Sequence, residues 1–505
     1  MNLCVKIKQY IKMSGKPRKP TYIPSIRILS QKGYAILKED NPEWIKYFTN
    51  FLTVSPKINP NAPGAGNVAS FAVYRENSKK FYIPRALGFE LFGEPTENNL
   101  HEGTDCSERL KFKGSLRAEQ MRPVNAFLAA AQDPRKRGGI ISLQCGGGKT
   151  VCALHILCAL GKKTLIICHK EFLLNQWKER ITQFIPTARI GLIKAQKLVT
   201  VDCDIVLASL QSLSMKEYDP KIFLDFGFVC VDEAHHIGAE VFVQALPKVT
   251  ASIFLGLSAT LDRKDGLRKV FEWFLGKVVN EITLRTDKEL LVKMIKYYDT
   301  DSEYGIIRSL WNGKPNSAAM VTDICSYEPR IVRIIEEYTT LIKKEPGRKT
   351  LVLSGRREHL NMLENAFIDA GYTSIGFYVG GMKEADLKKS ESRDIILATY
   401  SMAAEGMDIP VLNTLILASP IGDIEQSVGR IQRQKPHERQ YVPYIIDMWD
   451  QYALFQTQGL RHMKFYKKNG YSFVSADDTT DTPVPQEVSD TEECKKDFDF
   501  IDDDD

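Results

Sequence analysis

The sequence predicts an α/β protein whose two successive halves are each built on a parallel sheet flanked by helices. A small α+β region precedes them and an acidic, disordered tail follows. Three observations carry this. Continuously apolar runs such as 139–143 (GIISL), 226–231 (FGFVCV), 350–355 (TLVLSG) and 394–400 (DIILATY) read as strands buried on both faces. Helical stretches separate them, over residues 109–282 and again over 283–475, with further strands expected at 374–380 and 414–420. The last thirty residues, 476–505, hold thirteen Asp or Glu against two Lys, and too little apolar surface to bury a core.

Residues 1–108 form the leading region. Pro-rich breaks at 14–24 and 55–66 interrupt it, and SFAVYR and KFYIP read as strands of a small module. The net charge of +5 conceals an asymmetry: the tail carries −11, so the preceding 475 residues carry +16, which suits contact with a phosphate backbone. Ten cysteines lack any C-x-x-C pair, which argues against a zinc module and a disulfide framework; Cys145, Cys152 and Cys158 read as small core residues. No run approaches eighteen apolar residues and lysines interrupt the amino terminus. Neither a membrane span nor a secretory signal is expected, which implies a soluble protein in a reducing, intracellular compartment.

Residues 146–150 read GGGKT. Gly146, Gly147 and Gly148 let backbone amides close around phosphate, Lys149 reaches the β and γ phosphates, and the Thr150 hydroxyl ligates magnesium. The strand before and a helix over 151–160 supply the context this loop needs, although the first position of G-x-x-x-x-G-K-[ST] is Leu143 here. Downstream, DEAH at 232–235 puts Asp232 and Glu233 at the carboxyl end of a strand, where open α/β sheets place ligands. Asp232 would hold the magnesium shell, and Glu233 would orient the attacking water and take its proton. An isolated Asp-Glu pair is usually a solvated loop; its position after a buried strand decides against that. In QSVGRIQR (426–433), Arg430 and Arg433 lie three apart, on one face if helical, and would bring cations to the γ phosphate.

With SAT at 258–260, these segments in this order resemble the superfamily 2 helicases, ATP-driven motors on nucleic acid, over about 116–443. The resemblance implies two tandem RecA-like domains, with ATP and Mg2+ between them and nucleic acid across both. It assigns Arg117 and Gln120 (LRAEQ) to adenine, and Leu143, Gln144, Cys145, Gly146, Gly147, Gly148, Lys149 and Thr150 to the phosphates. Asp232, His235, Gly406 and Asp408 also join the nucleotide site, with Thr150 and Asp232 on the metal. Glu233, Gln426, Arg430 and Arg433 become catalytic, and Ser258, Ala259 and Thr260 couple the two sites. Nucleic acid falls to Gln176, Trp177, Ser209, Gln211, Arg263, Ser354 and Thr399, with Trp177 read first as a core or interdomain anchor.

The Gln176-Trp177 pair, LSATLDRKDGL (257–267) and the GRIQR ending look like the XPB group of DNA translocases, and FYIPRALGFELFG (81–93) is similar to an element of helicases from large cytoplasmic DNA viruses. This implies 3′ to 5′ movement on single- or double-stranded DNA and a partner in the transcription machinery, for elongation or transcript release. A viral setting implies the host cytoplasm and the virion. An RNA helicase, the motor of a nuclease complex and a non-catalytic scaffold remain rivals; intact Lys149, Asp232, Glu233, Arg430 and Arg433 argue against the last. Residues 286–327 read as a linker between the halves, with nucleic-acid contact through Trp311, Lys293, Lys296 and Lys314 as the alternative. The acidic tail reads as inert, as a decoy for the basic groove, or as a docking peptide, with Ser489 in a context that suits an acid-directed kinase.

Overall fold

The structure is a computed structural model that describes residues 17–56, 69–143, 147–233, 239–249, 251–259, 266–282, 289–407, 409–434 and 436–474. The acidic tail lies outside them. Described residues up to 282 belong to one compact unit and those from 289 to another.

The first unit is organised by an eight-stranded sheet. Its strands run in the order Lys197–Val199, Ile190–Lys194, Ile205–Ser209, Thr164–Cys168, Phe228–Val231, Ile253–Ser258, Gly138–Leu143, Val278–Ile282. All pairings are parallel except that of the edge hairpin 190–199. Side chains alternate between the two faces, so Ile166, Cys168, Phe228, Cys230, Leu255 and Leu257 enter one core while Leu165, Ile167, Val229, Val231 and Phe254 enter another. Both faces are covered, which explains the unbroken apolar runs.

Helices Leu210–Met215, Ala239–Ala245 and Arg268–Leu275 lie on the second face, and the leading region packs against the last of them and joins the same core. Its sheet runs Arg75–Glu76, Lys80–Ile83, Gly33–Leu37, Arg27–Ser30, Glu97–Asn98, with helices Pro42–Phe51 and Arg85–Phe92. Tyr34, Trp44, Phe48 and Phe81 share one core with Leu165, Val229 and Phe254 of the larger sheet. Arg85 is buried at this junction, donating to the carbonyls of Ala251 (2.7 Å) and Ser252 (2.6 Å) with its guanidinium 4.8 Å from the Phe254 ring centre. Burial, followed by the charge of Arg137, lowers its pKa to about 9. Gly88 on the same helix lies against Tyr34, where a Cβ would come within 2.2 Å of the ring.

The second unit holds a seven-stranded, wholly parallel sheet: Ile375–Tyr378, Ile395–Thr399, Thr350–Ser354, Thr414–Leu417, Tyr444–Asp450, Leu291–Tyr297, Ser472–Phe473. The strip expected as a linker is therefore corrected. Seven of its residues, Leu291–Tyr297, form a strand in continuous register with Tyr444–Asp450. Its lysines disguised it: Lys293 pairs with Glu337 at 2.7 Å, and Lys296 lies 5.5 Å from the Trp449 ring centre. Among the described residues, no helix is long and apolar enough to cross a membrane.

Candidate functional site

Three neighbouring strands of the first sheet, Phe228–Val231, Ile253–Ser258 and Gly138–Leu143, bring their carboxyl ends together. Leu143 ends the last of them and is buried; Gln144, Cys145 and Gly146 lie outside the described residues. The loop re-emerges at Gly147, and Gly148 caps helix Lys149–Leu160 with φ of +80°. That left-handed backbone favours glycine, and a Cβ there would come within 2.1 Å of Gln120 Nε2 and displace its side chain. Gln120 is buried; its Oε1 accepts the Arg117 N–H (2.9 Å) and its Nε2 donates to the Gly147 carbonyl (3.2 Å). It thus ties the start of helix Ala118–Gln132 to the phosphate loop.

Lys149 opens the loop helix, and its Nζ lies 2.6 Å from Glu233 Oε1, joining residues 84 positions apart. Beside it, Asp232 is buried: Oδ1 accepts the Glu233 N–H (3.0 Å), and Oδ2 accepts the Trp177 indole N–H (2.8 Å). Burial, and then repulsion from Glu233, raises the Asp232 pKa to about 6, with Lys149 and the Trp177 bond working against them. Glu233 has φ of +48°, a left-handed conformation that non-glycine residues rarely adopt and that concentrates at functional positions.

A divalent cation fits this donor set. Two adjacent carboxylates lie beside Lys149, and burial with the Glu233 charge pushes Asp232 towards its protonated form, a repulsion that a bound cation would relieve. Thr150, the next residue of the helix, is partly buried and offers a hydroxyl. Among the described residues, no group of three or more His, Cys, Asp or Glu could hold a metal ion by itself.

Two expectations about Trp177 separate here. It is 1% exposed and bound to Asp232, so it is not a surface for nucleic acid. The helical pattern of Glu171–Phe184, with Leu173, Leu174, Trp177 and Ile181 all inward, could have shown its burial but not its partner. Gln176 is half-buried, and Ser209 and Gln211 bond to each other at 3.1 Å after strand Ile205–Ser209. Ser258 ends its strand opposite Ser142 and Ala259 follows it, while Thr260, Arg263, His235 and Asp408 lie outside the described residues.

In the second unit, Thr399 ends its strand half-buried, but Ser354 is corrected: it is wholly buried, with its hydroxyl bonded to His359 Nδ1 (2.9 Å) and to the Arg356 N–H (3.1 Å). Gln426 sits in a single-turn helix, Glu425–Val428, that closes at Gly429, so Arg430 and Arg433 do not share a helical face. Buried Arg430 donates to the Met407 carbonyl (2.8 Å), one residue beyond Gly406, which ends helix Tyr400–Gly406.

Residues 113–263 match the family described as the type III restriction enzyme, res subunit. A protein of Acanthamoeba polyphaga mimivirus, provisionally named an ATP-dependent RNA helicase, is 33% identical over 455 residues, covering 88% of this chain and 86% of the relative. This chain belongs to the superfamily 2 helicases, among relatives of those of large DNA viruses. The helicase is an ATP-dependent enzyme whose substrate class is nucleic acid. It is also similar to a helicase of Invertebrate iridescent virus 6 (29% over 386 residues, 71% of this chain and 82% of the relative) and to one of Escherichia phage T5 (27% over 348 residues, 66% and 73%). The crystal structure of T4 UvsW aligns over 72% of the helicase and 78% of that chain, at 16% identity and a TM-score of 0.30. A likeness that weak carries no argument.

Proposed function

We propose that this helicase hydrolyses ATP at the strand ends around Lys149, Asp232 and Glu233 and uses the cycle to move along DNA, its two parallel sheets being tandem RecA-like domains. The observation that carries the reading is the 2.6 Å pair between Lys149 Nζ and Glu233 Oε1. Each group neutralises the other until a triphosphate offers Lys149 a better partner. Glu233 is then released to orient water and accept its proton, so ATP itself arms the base. Magnesium, held by Asp232 and Thr150, would screen the charge of the phosphates. Gln120 and Arg117 fit recognition of the base, and Gln426, Arg430 and Arg433 are assigned to the transferring phosphoryl group. His235, Gly406 and Asp408 complete the nucleotide site, and Ser258, Ala259 and Thr260 the coupling. Contact with nucleic acid stays with Gln176, Ser209, Gln211, Arg263 and Thr399.

The XPB-like spelling of 176–177 and 257–267 supports DNA, 3′ to 5′ polarity and a role in transcript elongation or release. The viral relatives support a viral setting. A second reading, RNA as the track, is favoured by the mimivirus relative's name. Steady-state ATP hydrolysis by wild type and Glu233→Gln, alone and with single-stranded DNA, duplex DNA or RNA, separates these. DNA stimulation that falls by a factor of about 10²–10⁴ in the variant is expected. Stimulation by RNA alone would replace DNA with RNA, and no hydrolysis under any condition would sink the motor.

A further inference from the structure

A cavity of about 190 Å³ lies in the seam between the leading region and the rest of the first unit. Residues 29–33, 72–75 and 82–85 of the leading region form one wall, and Val249, Phe254 and Phe274 belong to the other. The charges around it are of one sign. Lys32, Arg75 and Arg85 all line it, and none of the described lining residues is Asp or Glu.

Arg85 is buried, and two residues it touches, Ala251 and Phe254, line the same cavity. The Ala251 and Ser252 carbonyls take two of its five N–H donors. A carbonyl satisfies a donor but carries no net charge to offset a buried cation. The charge that acts on Arg85 is that of Arg137, which adds to burial in lowering its pKa; among the described residues Arg85 has no carboxylate partner. Other buried arginines are treated differently: Arg330 meets Asp450, and Arg348 meets Glu345. Exposed Arg75 is matched little better, because Glu217, the carboxylate whose charge reaches it, is 89% exposed and pairs with Lys248 at 2.9 Å. Lys32 Nζ lies 5.9 Å from the Tyr82 ring centre.

We propose that this cavity binds a small organic anion, a carboxylate or phosphate carried on a single ring, with its acid group against Arg85 and its ring against Phe254. A space of this size admits one six-membered ring. Apolar walls favour that ring over a bare ion, and a guanidinium is the side chain best shaped for a carboxylate or phosphate. Water would wet the cavity and leave its charge uncompensated. The inference is independent of how the motor works.

The test is calorimetric titration of the full chain with phenyl phosphate and with benzoate, in excess ADP and Mg2+ so that the phosphate loop does not compete. Benzyl alcohol keeps the ring without the charge, and inorganic phosphate keeps the charge without the ring. At least one aryl anion is expected to bind with a Kd of about 1 mM or tighter, and both controls about tenfold more weakly or worse. Arg85→Ala also removes an anchor of the fold, so the variant that decides is Lys32→Ala with Arg75→Ala, both exposed positions. It should weaken the aryl anion about tenfold. Four results overturn the proposal. Equal binding of benzyl alcohol would make the cavity an apolar one, and equal binding of inorganic phosphate would make it an ion site. Binding that the double variant leaves unchanged would put the anion elsewhere. Binding of neither aryl anion would leave Arg85 an anchor alone, and a loss of affinity for single-stranded DNA in the double variant would then give the cations to the polymer.

Discussion

Both sheets bury charge at the ends of their strands, but they use it in opposite ways. In the second unit Arg330 and Asp450 are each 0% exposed and form a two-pronged pair at 2.8 and 2.9 Å; Tyr304 donates to the same carboxylate at 2.9 Å. The remaining Arg330 nitrogen donates to the Ala418 carbonyl. Every prong is satisfied by the protein, and the cluster is a fastener. In the first unit Lys149 and Glu233 retain 11% and 19% exposure, and Asp232 is pushed towards its protonated form. That cluster stays partly open to solvent, and we read it as the place where a ligand binds. What separates a site from a staple is whether the protein alone satisfies the buried charge.

Cutting one partner in each cluster is the sharpest test of this difference. Arg330→Met should destabilise the second unit by about 3–5 kcal/mol in denaturant unfolding, because it strands Asp450 in the interior. Lys149→Met should lower stability by about 2 kcal/mol or less while abolishing nucleotide hydrolysis. Comparable losses of stability would erase the contrast. A smaller effect is expected from Trp177→Phe, which keeps an aromatic ring in the core but removes the bond to Asp232. It should raise the magnesium concentration needed for half-maximal hydrolysis about tenfold, with weakened Mn2+-dependent nucleotide binding as the independent readout. An unchanged requirement would make Trp177 a core residue only.

The smallest effect concerns His462, another closed cluster. Its Nδ1 lies 2.9 Å from Asp447 Oδ2 and its Nε2 2.8 Å from the Ile421 carbonyl. Burial alone would lower its pKa, but the Asp447 carboxylate and the Ile421 carbonyl outweigh it and raise the value above the ordinary 6.5. A raised histidine stabilises the fold fully below its unfolded pKa and loses that contribution as pH rises through the folded value. The stability gap between wild type and His462→Gln should therefore be wider at pH 6 than at pH 9. Equal gaps would mean that folding leaves the His462 pKa unshifted, and a narrower gap at pH 6 that the ring stays neutral in the fold.

Sequence pattern located the strands with unbroken apolar runs because two covered faces leave no room for polar residues. Gly138–Leu143, Phe228–Val231, Thr350–Ser354 and Ile395–Thr399 are of this kind. It missed Leu291–Tyr297, where half-buried Lys293 and exposed Lys296 break the apolar run and hide the strand. It marked Lys149, Asp232 and Glu233 through local spelling. It could not reveal the Trp177–Asp232 bond, which spans 55 residues, or the Arg330–Asp450 pair, which spans 120. Short-range rules report periodicity and caps; long-range partners appear only once the sheet has set its strand order.

The two carbonyls that receive Arg85 belong to the residues just before strand Ile253–Ser258. The same strand ends in Ser258, beside the strand that runs into the phosphate loop. Six extended residues make a stiff rod about 20 Å long. Arg85 grips the near end of that rod, and the proposed nucleotide site lies at the far end. A load on the leading region would thus enter the first unit through a lever arm aimed at the proposed nucleotide site.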